Sequence, residues 1–327
     1  MKKVLGMGNA LTDILFQIEN DELLNELNLI RGGMQLIQNE QSEHIKSHFS
    51  PSSATMATGG SASNTINGIA KLGLESGFIG KVSNDEIGEF FSSNSLDNGV
   101  TPHMQLSETP SGHCTILVSP DSERTLCTFL GAASELYAKD LNPEVFNDYD
   151  FFHIEGYLVQ NHELIRTALK MAKEAGLTTS IDLASFNIVK ENLDFLHEIT
   201  ENYVDITFAN EDEAYTFTNK KPLDAVQEIA KMSKIAIVKI GKNGSVIQSG
   251  DEFYMIEPNL VKSVDTTGAG DLYAAGFLYG LANDYTLDIC GKIGSFVSSK
   301  VVEVVGTKMS EETWSEINDK VKLITGK

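Results

Sequence analysis

What constrains this chain most is a glycine turn that leads straight into a helix. Val264-Asp265-Thr266-Thr267-Gly268-Ala269-Gly270-Asp271 is followed at once by the small-residue run 272–280. Gly268 and Gly270 let the backbone turn tightly with no Cβ in the way, so successive N–H groups converge on one anion. The stretch 269–281 reads as a helix, and its N-terminus adds partial positive charge at the same spot. Asp271 sits on that first turn. An anion cradle beside a carboxylate suits phosphoryl transfer. The amides of Gly268, Ala269 and Gly270 would hold developing charge, and Asp271 would accept the proton of an attacking hydroxyl. A bare Gly-x-Gly-Asp also reads as an ordinary turn with a helix-start carboxylate, so the rest of the chain has to decide.

The 327 residues suffice for one large α/β unit or for two domains. A net charge of -21 argues against nucleic-acid and anionic-membrane partners, which need a basic face. A phosphate site in such a chain must draw its positive field from backbone amides, a metal ion and a few Lys or Arg. Cys114, Cys127 and Cys290 form no CxxC and cannot all pair, so they read as free thiols of a reducing, cytoplasmic compartment. Lys2-Lys3 before 4–10 faintly resembles a leader, but Asn9 and Asp13 interrupt the apolar run, and a buried first strand is the better reading. No stretch approaches the ~20 apolar residues of a membrane span.

Short strands are expected at 4–8, 14–18, 34–37 and 77–80, helices at 61–72 and 87–98, and a hairpin joins 113–118 to 124–130. From Tyr149 onward strands (151–155, 178–182, 206–209, 235–240, 244–248) alternate with helices (162–174, 192–200, 223–232, 269–281, 288–305). That alternation implies an α/β fold, a doubly wound and mainly parallel sheet with helices on both faces. Two antiparallel-looking insertions, near 14–38 and 112–131, stand outside it. They are expected to form a small β lid over the edge where ligands bind, within a single catalytic domain spanning 1–327. No G-x-x-x-x-G-K-[ST] occurs, and the pairs Gly6/Gly8 and Gly268/Gly270 lack the third glycine of a dinucleotide fingerprint. The histidines show no metal-binding spacing.

Two separated segments then agree. Asp265–Asp271 resembles the C-terminal signature of the ribokinase/PfkB carbohydrate-kinase family, and Thr58-Gly59-Gly60-Ser61-Ala62-Ser63-Asn64-Thr65 resembles its N-terminal signature. Local matches are similar to the adenosine-kinase-like branch. They are Gly6-Met7-Gly8-Asn9-Ala10-Leu11-Thr12-Asp13-Ile14, the turn from Ser119 to Arg124, Phe152-His153-Ile154-Glu155-Gly156-Tyr157, and Phe208-Ala209-Asn210-Glu211-Asp212-Glu213-Ala214 with its N-x-x-E. The resemblance implies a ribokinase-like fold with ATP and Mg²⁺ as cofactors, a monovalent cation being left open. It also implies a monomer or homodimer that phosphorylates the 5'-hydroxyl of a nucleoside, adenosine to AMP. The alternative is a sugar kinase acting on ribose, fructose or a related carbohydrate. A non-catalytic nucleotide-binding member and a nucleotide-dependent oxidoreductase are the readings from other classes.

On the acceptor side, Asp13 can take hydrogen bonds from two vicinal hydroxyls, with Asn9, Gly60 and Asn64 supplying further polar contacts. Leu11, Leu36, Leu126 and Leu130, with Tyr157 and Phe186, suggest an apolar slot for a flat base, although ordinary core packing explains the leucines equally. Met34 stands where animal-type relatives carry a polar Gln, a departure that leaves base specificity open. On the nucleotide side the resemblance points to Lys239, Gly241 and Gly244, with Asp265 and Thr267 on the anion turn and Phe296 and Ser299 beside the adenine. Asn210 and Glu213 would hold Mg²⁺ through water, because that ion dehydrates reluctantly; an acidic helix start is the plain reading of the same residues. Arg124 would arrive from the lid at the moving phosphoryl group, whereas a hairpin-end Arg is ordinarily solvated.

Overall fold

The alternation of short apolar runs with amphipathic helices builds a nine-stranded sheet in the computed structural model, which describes residues 2–326. From edge to edge it runs Glu252–Ile256, Ser245–Ser249, Ile235–Lys239, Ile206–Asn210, Thr178–Asp182, Phe151–Glu155, Val4–Met7, Ser76–Ser83 and Val100–Ser107. Neighbours pair in parallel except at one end, where Ile235–Lys239, Ser245–Ser249 and Glu252–Ile256 form an antiparallel meander. Val4–Met7 lies inside, between Ser76–Ser83 and Phe151–Glu155. The chain builds outward on one side of it, then returns and builds outward on the other. Such a reversal opens a crevice beyond the carboxyl ends of the two central strands.

One face of the sheet carries His162–Glu174, Leu193–Tyr203 and Pro222–Ile229 around Phe152, Ile154 and Ile181. The other carries Ser61–Lys71, Ala269–Ala282, Leu287–Val301 and Glu311–Thr325 around Phe78, Phe208 and Ile237. Ala269–Ala282 is apolar nearly all round because it is pressed between two other helices as well as the sheet. A Cβ on Gly276 would lie 2.8 Å from Gly294 Cα, which accounts for the small residues that follow the glycine turn.

A separate five-stranded sheet runs Met34–Leu36, Arg124–Phe129, His113–Val118, Leu11–Gln17, Thr55–Gly59. One of its faces packs on Leu24, Ile37 and Ile45; the other turns Leu11, Asp13, Leu126 and Thr128 toward the crevice. The two expected insertions are both in it, with three differences. A third segment, Thr55–Gly59, joins at the edge. Two of the pairings are parallel, Leu11–Gln17 with His113–Val118 and Met34–Leu36 with Arg124–Phe129. The strand expected from 14 begins at Leu11, so Asp13 lies inside it, between Ala57 and Cys114. The three cysteines are free and buried, and no helix among the described residues is long and apolar enough to cross a membrane.

Candidate active site

Gly268 is left-handed (φ 75°) and caps Ala269–Ala282, a backbone shape that a Cβ would oppose both by strain and by a 2.5 Å approach to Thr307 Cγ2. Of the three amides expected to face an anion, that of Ala269 donates to Thr266 O at 3.2 Å, whereas those of Gly268 and Gly270 have no internal partner among the described residues. Asp271 projects from the first turn. Ser61 Oγ donates to its Oδ1 at 2.7 Å and Asn64 Nδ2 to its Oδ2 at 2.9 Å. Burial pushes this carboxyl up to about 6, against the pull of the two donors; the Asp182 charge adds to the rise and Lys239 opposes it.

Behind this turn, where the central strands end, Glu155 is 1% exposed. Its Oε1 accepts from Asn9 N at 2.9 Å and Asn9 Nδ2 at 2.6 Å, and its Oε2 from Ala62 N at 2.8 Å. Burial raises it to about 7 despite these three bonds.

Toward the far rim, Lys239 Nζ reaches Asp182 Oδ2 at 2.6 Å and lies 3.0 Å from where a Cβ on Gly270 would stand. Burial disfavours its charge, but Asp182, Glu213 and Asp271 outweigh that and hold it above the usual lysine value. Asn210 and Glu213 form a reciprocal cap on Glu211–Thr218. Asn210 Oδ1 accepts from Glu213 N at 2.9 Å, while Asn210 N and Nδ2 donate to the Glu213 carboxylate at 2.7 and 2.6 Å. Burial, then Asp182, raises Glu213 to about 7. Among the described residues no cluster of His, Cys, Asp or Glu is arranged to hold a metal directly.

The small sheet supplies the roof. The Asp13 carboxylate has no hydrogen-bond partner among the described residues, and burial lifts it to about 6, with only the Arg124 charge opposing. Arg124 is buried, which removes the alternative of a solvated hairpin-end residue. It is 6% exposed, and its Nη1 donates to Asp265 Oδ2 at 2.7 Å and Thr267 Oγ1 at 3.2 Å, while its Nε is buried without a partner. Asp265 also accepts from Gly306 N and Thr267 N. A cavity of about 830 Å³ separates this roof from the floor around Asp271.

Residues 30–314 match the pfkB family carbohydrate kinase. The chain belongs to that family. It is similar to an uncharacterized sugar kinase of Archaeoglobus fulgidus, 28% identical over 74% of this chain and 96% of the relative. It is similar also to a 5-dehydro-2-deoxygluconokinase of Clostridium botulinum, 27% identical over 81% of this chain and 84% of the relative. The solved adenosine kinase from Sinorhizobium meliloti superposes with a TM-score of 0.86 at 33% identity, covering 98% of this chain and 99% of that one. This pfkB-family member is therefore a sugar or nucleoside kinase, a phosphotransferase whose acceptor is an alcohol.

In this kinase the cavity gathers Leu11, Asp13, Gly60, Asn64, Arg124, Leu126 and Tyr157 with Asn210, Glu213, Lys239, Gly241 and Gly244, and with Thr267, Gly268, Ala269, Gly270, Asp271 and Ser299. Several candidates stand elsewhere. Asn9 is spent on Glu155. Met34 is 57% exposed on the outer edge strand, with Leu36 beside it. Leu130, just before the helical turn Gly131–Glu135, does not line the cavity, and Phe186 is 50% exposed at the start of Phe186–Glu191. Phe296 packs with its helix on the core and meets Lys300 and Lys320 at its ring. Asp265 does not line the cavity and accepts from Arg124 and Thr267, which do. The cavity also takes residues that sequence reasoning left out: Ser61, Cys114, Thr128, Asp182 and Thr307. Asp182 had a signal, a carboxylate at the carboxyl end of a core strand.

Proposed function

We propose that this kinase transfers the terminal phosphoryl group of ATP to the 5'-hydroxyl of a nucleoside, with adenosine as the favoured acceptor and AMP as the product. The observation that carries the reading is the pairing inside one cavity. Asp13, a carboxylate without a protein partner, stands beside Leu11 and Leu126 on the roof, and Asp271 with its two donors stands on the floor. Vicinal hydroxyls of a ribose would satisfy both oxygens of Asp13. The leucines would cover the base.

The partnerless amides of Gly268 and Gly270 fit a phosphate, as does the buried Nε of Arg124. Mg²⁺, which would neutralise charge on the phosphates, fits beside Asn210 and Glu213 only through water, because their polar groups already bond one another. Asp271 takes the acceptor's proton. Its elevated proton affinity suits that task, since a base near 6 is ionised at neutral pH yet not a feeble acceptor. Ser61 and Asn64 keep its carboxylate aimed, and the roof excludes water so that the phosphoryl group meets the alcohol.

Thr128 favours a second reading. Thr128, on the roof strand, lines the same cavity with its hydroxyl donating to Cys114 Sγ at 3.4 Å, and a hydroxyl-rich sugar such as ribose or fructose would donate to that oxygen in turn. Coupled ADP-release assays across nucleosides and free sugars decide between them. The nucleoside reading requires kcat/KM for adenosine to exceed that of every free sugar; a sugar in first place overturns it.

A further inference from the structure

The first turn of Ser61–Lys71 is held between two carboxylates. On one side Ser61 and Asn64 donate to both oxygens of Asp271. On the other, the next residue, Ala62, donates its N–H to Glu155, whose second oxygen takes both nitrogens of Asn9. Glu155 has no room to move. A Cβ on Gly8 would come within 2.4 Å of its Oε2, and a Cβ on Gly60 within 2.3 Å of Asn9 O. Asn9, Glu155 and Ala62 thus lock the helix start to the ends of the central strands. No cation pairs with Glu155 among the described residues, so a buried carboxylate is held there by N–H donors alone, an arrangement that costs stability.

We propose that Glu155 is a positioning residue for Asp271: by fixing the first turn of Ser61–Lys71 it sets, through Ser61 and Asn64, the direction from which Asp271 meets the acceptor hydroxyl. The proposal rests on the reading of Asp271 as base. An apolar or amide side chain at 155 would fill the space but would not gather the N–H groups of Ala62 and Asn9 onto one anion. The turn would then relax, and displacement of a catalytic group by about 1 Å costs up to about 10²-fold in rate.

The test is a double-mutant cycle of wild type, Glu155→Gln, Asp271→Asn and the double variant, with steady-state kinetics on each folded protein. Glu155→Gln is expected to lower kcat by about 10-fold to 10²-fold with both KM values within about threefold of wild type. In the Asp271→Asn background it is expected to change kcat by less than about twofold, because no base remains to be aimed. Equal losses in both backgrounds, or a single variant with wild-type kcat, overturn the proposal. Near-normal turnover of Asp271→Asn alone overturns the base reading instead. Should Glu155→Gln fail to fold, Asn9→Ala removes one of the three donors. It is expected to give a smaller loss of the same kind, and a rise in acceptor KM with kcat unchanged would count against the proposal.

Discussion

Asp13 and Asp271 face the same cavity, and burial lifts both carboxyls to about 6, yet only one of them is anchored. Asp271 grows from a helix wedged among other helices, and both of its oxygens accept hydrogen bonds from Ser61 and Asn64. Asp13 hangs from the small sheet, where the charge of Arg124 is the counterweight and no donor reaches it. The difference separates two jobs that one residue type can do. A group that must act at a fixed angle is satisfied by the protein in advance. A group that must hold a ligand is left for the ligand to satisfy, and its unmet hydrogen bonds become affinity.

The largest break in that comparison comes from the anchored side. Asp271→Asn keeps the size and shape of the side chain but cannot take a proton, so kcat should fall by about 10²–10⁴ with ATP binding intact. Retention of more than a tenth of wild-type turnover would sink Asp271 as the base. The same split should appear with pH in the wild type. A base works only when ionised, so kcat should decline as pH falls through about 6, and loss of the Glu155 charge near 7 should start that decline earlier. Protonation of Asp13 over the same range should raise the acceptor KM.

Next comes the unanchored side. If Asp13 holds the acceptor as proposed, Asp13→Ala deletes two charge-assisted bonds, each worth about 1.5–3 kcal/mol, and acceptor KM should rise about 10²-fold or more. The KM for ATP should stay near normal. A loss confined to ATP would show that Asp13 does not hold the acceptor.

Arg124 joins the two regions, because it stands on the small sheet and grips Asp265 on the anion turn. Arg124→Ala should cut the single-turnover rate by about 10-fold to 10²-fold, the worth of one lost charged hydrogen bond. It should change acceptor dissociation far less. Its burial adds a second effect, a lower melting temperature, because removing one partner of a buried pair strands the other. Gly306 N and Thr267 N still serve Asp265, which limits the loss. Arg124→Lys should recover part of the rate, since a point charge cannot reproduce the planar fork. A normal phosphoryl-transfer rate in Arg124→Ala would return this residue to a purely structural role.

The sequence was most legible where chemistry forces a local shape. Gly268, Gly270 and Asp271 announce the anion turn, and Gly59-Gly60 its counterpart: Gly268 and Gly60 take backbones with positive φ, and a Cβ on Gly270 or Gly59 would crowd Lys239 or Asp13. Strands with β-branched cores, such as Ile235–Lys239, were equally plain. Thr55–Gly59 was not, since Thr, Ala and Gly give no alternating apolar signal, and Val100–Ser107 hides behind Pro102 on an edge. Long-range pairings left no local trace at all. Nothing near Arg124 names Asp265, 141 residues on, and nothing near Lys239 names Asp182. For the same reason Met34, placed at the ligand by resemblance, and Phe186, placed there as an aromatic ring, both miss it: topology leaves one on an outer edge and the other at a helix start off the cavity.

The smallest effect returns to the two carboxylates and asks what each costs the empty protein. A carboxyl whose folded pKa lies above its unfolded one weakens the fold in its ionised form. For Asp13, that penalty is absent below about pH 4, grows as pH rises toward about 6 and is complete above it. Asp13→Asn carries no charge, so it should melt above wild type at pH 8 and converge with it near pH 4. Partial exposure screens the effect, and a gain of about 2–4 °C is the scale to expect in a chain of this size. Asp271→Asn should gain less. Its new NH₂ group would either meet Asn64 Nδ2, a donor set against a donor, or force the Ser61 hydroxyl to turn from donor to acceptor, and either offsets the relief of charge. Melting curves of both variants at pH 5 and pH 8 without ligand separate the cases. Equal gains would mean that Asp13 and Asp271 are anchored alike, and Asp13→Asn no more stable than wild type at pH 8 would mean that Asp13 already has its partner in the empty protein.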